Sequence, residues 1–217
     1  RIAENGRIIT SRYPDFDAQV QHFIVTDPLR TQRLALGLAL AGHRARTAGA
    51  RLSVFIGHAL GGGAETYLCQ RIERELDTTG HAVVLRAMQD GTWKVELHGR
   101  RGQSAGLAAD AGAALAMLGP AGALNAVYSC AVGTPRPLEV PDLLLALKAQ
   151  RGSTREVTFN DYYPISPSYT LLDSRAVFAG VPDAGNEDPA HRFVLEDGSE
   201  IPLARWRGAW GRVMAQA

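Results

Sequence analysis

A chain of 217 residues, 46% of them hydrophobic, carries enough apolar material for one sizeable core. Its formal net charge is +1, with acidic and basic residues interspersed, which argues against a nucleic-acid surface held by bulk charge. The two cysteines, Cys69 and Cys130, lie far apart with no ligand pattern around them and read as reduced thiols, so a cytoplasmic location is expected, with at most peripheral contact at a membrane. No apolar run reaches the ~20 residues of a membrane span, and no signal peptide is visible. A chain that opens on Arg1 rather than Met is expected to be a piece of a longer polypeptide.

In chain order, Pro14 and the Asp27-Pro28 step mark turns. The Ala/Leu/Arg-rich stretch from Leu29 to Ala48 predicts a helix leading into the first strand, and residues 1–50 read as a helical extension or linker. Leu52 to Ile56 is a short continuous apolar run, the mark of a strand buried on both faces. Ala64, Leu68, Ile72 and Leu76 then recur every four residues and define one helix face, which ends near Thr79-Gly80. Ala82 to Leu85 predicts a second strand and Trp93 to Leu97 a third, at an edge. A helix is expected over Leu107 to Leu118, a strand over Leu124 to Tyr128, a helix over Pro141 to Ala149 and a strand over Glu156 to Phe159. Glu139 and Asp142 complement the helix dipole at the start of the second of these helices.

About five strands alternating with helices predict an α/β, Rossmann-like, doubly wound and mostly parallel sheet over residues 51–217. The alternation stops after Phe159. The next stretch holds four prolines and no helical period, so a long irregular loop is expected. A hairpin turning at Asp197-Gly198 follows, and Pro202 opens a last helix. Trp206 and Trp210, four apart on that helix, are expected to pack against the sheet.

The chemistry-bearing feature is Gly61-Gly62-Gly63, between a strand and a helix. A helix N-terminus offers unpaired N–H groups and partial positive charge, and glycines let an anion come close to the backbone. In open α/β sheets such loops lie outside the carboxyl ends of the strands, where ligands bind. The P-loop motif is excluded, since no lysine follows. The dinucleotide fingerprint is incomplete: Thr66 stands at the third glycine position, and Leu85-Arg86 stands where a ribose-binding acid belongs. His58, just before the loop, is placed to touch a ligand. Glu65 complements the dipole in the first helical turn, and His81, at the far end of the sheet, is read as structural.

The run "GHALGGGAETYLCQRIERELDTTGHAVVLRA" resembles the start of the N-terminal domain of family 4 glycosyltransferases, with a glycine-rich first loop, Glu65, and Gly80-His81-Ala82-Val83 before the second strand. "TFNDYYPISPSYTLLDSRAVFAGVPD" is similar to a second stretch in bacterial members that build surface polysaccharides, and "WRGAWGRVMAQA" resembles the helix leading to their second domain. The resemblance covers about residues 51–217 and implies one half of a GT-B fold. By that resemblance, the chain is the acceptor-side domain of a retaining, metal-free glycosyltransferase. A nucleotide-sugar is then a substrate rather than a cofactor, and the acceptor is a glycan or a lipid-linked sugar. Gly61, Gly62 and Gly63 would face the donor diphosphate, His58, Tyr162 and Tyr163 the acceptor, and Asn160 and Asp161 the reacting centre; Tyr169 is a further stacking candidate. The family has a histidine where this chain has Asn160, and the C-terminal nucleotide-binding domain is absent from these residues, so the chain by itself is expected to be inactive. An NAD(P)-binding oxidoreductase domain and a non-catalytic module of a larger assembly protein stand as alternatives.

Overall fold

A computed structural model describes residues 2–58 and 60–215, with the side chains of Ile2 and Ala3 left undescribed. Three helices come first: α1 (Ile2–Arg12), α2 (Phe16–Thr26) and α3 (Arg30–Thr47). Then follow β1 (Leu52–Ile56), α4 (Gly62–Thr78), β2 (His81–Ala87), β3 (Trp93–Gly99), β4 (Gly102–Ala108), α5 (Ala111–Leu118), β5 (Leu124–Tyr128), α6 (Glu139–Ala149) and β6 (Thr154–Val157). A long connection leads to the short strands β7 (Phe193–Val194) and β8 (Glu200–Ile201) and to α7 (Leu203–Met214).

The main sheet has six strands in the order β4-β3-β2-β1-β5-β6. Strands β2, β1, β5 and β6 run parallel, and β3 and β4 add as an antiparallel hairpin beyond β2. The chain moves one way from β1 to β2 and the other way to β5 and β6, so the switch point lies between β1 and β5. The α/β, Rossmann-like, mostly parallel architecture is as expected. Three details differ. The third strand is internal, because Gly102–Ala108 forms the edge strand β4 outside it. Its Gly/Ala/Ser sequence has little β-propensity and hid the strand. The helix expected from Leu107 starts at Ala111, where the Asp110 side chain accepts the Ala113 N–H as an N-cap. The last parallel strand spans Thr154–Val157 rather than Glu156 to Phe159, while residues 2–12 and 16–26 are helical, in keeping with the expected helical extension.

The alternating side chains of the sheet build two unequal layers. On one face Val54, Ile56, Val83, Leu85, Val95, Ala126 and Tyr128 join α3, α5, α6 and α7 in a single cluster. On the other, Phe55, Ala82, Val84 and Val127 meet only Leu68, Ile72 and Leu76 of α4. The Arg71 guanidinium extends that cover by lying over the Phe55 ring and gripping Glu156 of β6 with two hydrogen bonds of 2.6 and 3.0 Å.

Helix α3, placed by the sequence in an N-terminal extension, is part of the core through Leu34, Leu38, Ala41 and Ala45. Gly42 makes this docking possible: a Cβ there would sit 2.0 Å from the Ala121 carbonyl oxygen. Helix α2 buries no residue, so the extension proper ends before α3.

As expected, the two tryptophans of α7 pack inward. Trp210 meets Tyr128 edge-on at 4.8 Å, and Trp206 meets Tyr163 in the same way at 4.8 Å while its Nε1 donates to the Tyr163 carbonyl. The long connection is braced by its own polar groups. Asp173 accepts the N–H groups of Arg175 and Val177, Asp188 accepts from Ser174 and Ala190, and the Ser166 hydroxyl meets His191 Nδ1 at 2.8 Å in the interior.

Helix propensity favours alanine over glycine by about 1 kcal/mol. That preference holds at Gly208 of α7, which is exposed with open space around its Cβ position. At Gly42 the backbone collision outweighs it, since overpacking costs about 1–3 kcal/mol or more. Gly208→Ala should therefore raise the urea unfolding midpoint and Gly42→Ala should lower it.

Candidate functional site

The candidate site lies at the carboxyl ends of β1, β2, β5 and β6. β1 ends at Ile56, and the chain passes through Gly57 and His58 to the three glycines. Gly61 (φ +78°) and Gly62 (φ +81°) adopt backbone conformations that side-chain-bearing residues avoid. All three glycines are exposed, and among the described residues no atom beyond the adjoining backbone lies within 4 Å of any of their Cβ positions. Helix α4 begins at Gly62, runs 17 residues, and has no side-chain cap at its N-terminus. Its first N–H groups are thus uncapped by any side chain.

The loop is anchored by Arg86, which stands where a dinucleotide fingerprint has its acid. Arg86 of β2 donates through Nη1 to the His58 carbonyl. The same guanidinium pairs with both Glu65 oxygens at 2.9 and 3.0 Å, and its Nε reaches Glu96 of β3 at 3.1 Å. Glu65, assigned by its sequence position to the helix dipole alone, therefore also ties the first turn of α4 to β2. Glu96 is nearly buried and gathers Lys94 at 2.5 Å and His98 Nε2 at 3.6 Å as well. Burial alone would raise its carboxyl; the groups of His98, Lys94 and Arg86 outweigh that and hold its pKa at about 2.

His58 turns its ring back on the loop. Its Nδ1 accepts the Leu60 N–H at 3.0 Å, which puts the proton of the neutral ring on Nε2. Burial lowers its pKa against the pull of Glu65 and Asp161, so the ring is neutral near pH 7. Beside it is a cavity of about 160 Å³ lined by Met88, Trp93 and Val132, with the buried Thr134 hydroxyl unpartnered.

Residues after β6 supply the other wall. Asn160 is exposed and donates through Nδ2 to the carbonyl and hydroxyl oxygens of Ser129, which leaves its own carbonyl oxygen to accept. Asp161 accepts the Cys130 thiol at 2.9 Å through one oxygen and the Tyr163 N–H at 2.9 Å through the other. It shapes the turn, and a role as catalytic base is not what these bonds favour. Burial and that bond push the Cys130 thiol well above its usual pKa, so it stays protonated. Tyr162 is exposed, as an acceptor-binding role requires. Tyr163 is a correction: it is buried between Trp206 and Trp210, because the turn at Asp161 directs it into the core, and it presents no ring to a ligand.

The structure thus places the glycines, His58, Asn160, Asp161 and the exposed Tyr162 at the carboxyl ends of the parallel strands, and removes Tyr163. Sequence reasoning missed the Arg86 clamp and the Cys130–Asp161 bond. A charged residue ending an apolar strand was the one available signal for the clamp. Among the described residues, no group of three or more His, Cys, Asp or Glu side chains is arranged to hold a metal ion, and no helix is long and apolar enough to cross a membrane. Comparison with known proteins gives no match: no family model, no curated protein and no solved structure is significantly similar to this chain.

The clamp predicts a pH signature. The folded-state pKa of Glu96 is depressed from the ordinary glutamate value of 4.5 to about 2. Its contribution is therefore fully present above pH 4.5 and lost as the pH falls towards 2. Urea midpoints measured from pH 6 to 2.5 should decline more steeply for the wild type than for Glu96→Gln. Arg86→Met, which takes the guanidinium from Glu65 and leaves Glu96 with Lys94 and His98, should cost about 3 kcal/mol at pH 7.

Proposed function

We propose that this chain is the acceptor-side domain of a retaining glycosyltransferase that uses a nucleotide-sugar, acting in the assembly of a polysaccharide or lipopolysaccharide. The observation that carries the reading is the open Gly61–Gly63 turn at the uncapped N-terminus of a 17-residue helix, beside the switch point of the sheet. That is where an α/β sheet receives an anionic ligand. The resemblance of residues 51–217 to family 4 enzymes selects the diphosphate of a sugar donor as that anion.

In this reading the loop N–H groups stabilise charge that develops on the leaving diphosphate, acting as a preorganised electrostatic cradle. The Asn160 carbonyl oxygen accepts a hydroxyl of the sugar or acceptor. Asn160 cannot act as a base, so proton transfer falls to the substrate or to groups outside this chain. Asp161 positions Asn160's turn. Neutral His58 donates from Nε2, and Tyr162 offers an exposed ring to the acceptor. A nucleotide-binding domain of the same polypeptide would complete the site. The oxidoreductase alternative has less support, because the residue at the ribose position is Arg86 and its guanidinium is engaged by two carboxylates.

Gly63 separates ligand approach from folding, since its φ is not positive and its Cβ position is open. In the full-length protein, Gly63→Leu should lower affinity for the preferred donor among UDP-, GDP- and dTDP-sugars by about tenfold or more. Its unfolding free energy should stay within about 1 kcal/mol of the wild type. Asn160→Ala should reduce turnover while leaving donor binding intact. If a well-folded full-length protein neither binds nor turns over any of these donors, the proposal fails.

A further inference from the structure

The opposite end of the sheet holds a second cleft, of about 710 Å³, between α3, the end of α4 and the β3–β4 turn. Its volume is in the range of small-molecule sites. Arg44, Arg100 and Arg101 line it around His81, and none of its lining residues is Asp or Glu. On the α4 face of the sheet guanidinium groups meet carboxylates, as Arg71 meets Glu156 and Arg86 meets Glu65 and Glu96, whereas Arg155 of β6 bonds the Val213 carbonyl. Here, among the described residues, none of the three arginines enters an ion pair. The Nη1 of Arg44 faces His81 Nε2 at 3.4 Å, and His81 Nδ1 is buried without a partner among the described residues.

One of the three arginines is held in place by the backbone. Arg100 is fixed by bonds of 2.8 Å from Nε to the Leu76 carbonyl and from Nη2 to the Asp77 carbonyl, at the negative end of α4. Those bonds occupy two of its five N–H groups. Gly99 and Gly102 pair across the hairpin beside His81, and the absence of side chains there keeps the floor open. Thr78, Gln103 and Ser104 add hydroxyl and amide groups at the margin.

We propose that this cleft is an anion site for a phosphate-bearing ligand, held by Arg44, Arg100 and Arg101 around the imidazole of His81. Guanidinium forks match phosphate oxygens, and several converging cations favour a ligand carrying two or more negative charges over a monocarboxylate. Burial, then the charges of Arg44 from α3 and Arg100 from the hairpin, lower the pKa of His81, against an opposing bond with Thr79; no carboxylate is among the groups acting on it. A bound phosphate supplies the missing negative charge and draws the imidazole pKa back up. The site is independent of the glycine loop and would stand if the transferase reading fell.

The test follows the His81 imidazole by nitrogen-15 NMR while pyrophosphate is added at constant ionic strength, with citrate as the control anion. Pyrophosphate should shift the His81 resonances saturably and raise its pKa. Arg44→Glu with Arg101→Glu, both exposed positions, should weaken that binding about tenfold or more, while Gly63→Leu should leave it unchanged. A second arm measures sedimentation with phosphatidic acid vesicles. Arginine-dependent binding to vesicles alone would assign the phosphate to a lipid headgroup, and binding of pyrophosphate would assign it to a soluble ligand. No arginine-dependent response in either arm, or an equal response to citrate, overturns the proposal.

Discussion

Arg86 is the constraint on which the candidate site depends. Three pieces of chain that are distant in sequence meet at its guanidinium: the carbonyl that follows β1, the first turn of α4, and the centre of β3. Without that cation, Glu65 would lose its guanidinium partner and Glu96 would keep only Lys94 and His98 to offset its burial. With it, the path of the glycine loop is fixed at both ends by the same planar group. The loop itself then needs no side chains, and it has none within reach of its Cβ positions. Openness at the ligand and rigidity beneath it are thus separate properties supplied by separate residues.

The second wall works in a related way. Asn160 and Asp161 use hydrogen bonds to Ser129, Cys130 and the Tyr163 amide to define the turn leaving β6. That turn points Tyr162 outward and Tyr163 inward, where Tyr163 becomes the anvil for Trp206 and Trp210. The closing helix and the site are therefore coupled through adjacent residues, one wet and one dry.

Much of the fold was legible because its signals are local. Leu52 to Ile56 reads as buried on both faces and is so; the four-residue repeat from Ala64 reads as one helix face, and Leu68 and Ile72 are its buried members. What was not legible depends on distant partners. β4 is a strand because β3 offers it an edge, while its own Gly, Ser and Ala residues carry almost no preference. α3 belongs to the core because Gly42 meets Ala121, 79 positions along the chain. In the site, the glycines announced themselves through their spacing. Arg86 did not, because its partners lie 21 and 10 residues away, on a helix and a strand. Tyr163 was misplaced because adjacent tyrosines in a loop give no periodicity to tell the buried one from the exposed one.

The unequal layers have a dynamic consequence. Helix α4 shares no apolar cluster with α3, α5, α6 or α7; it is seated on its own face by Leu68, Ile72 and the Arg71 grip on β6. A shift at its first turn has no packed route into the larger core. The sheet then acts as a partition: amide hydrogen exchange along α4 would register what occupies the glycine loop, while the four helices behind the sheet would keep the protection set by the bulk of the fold.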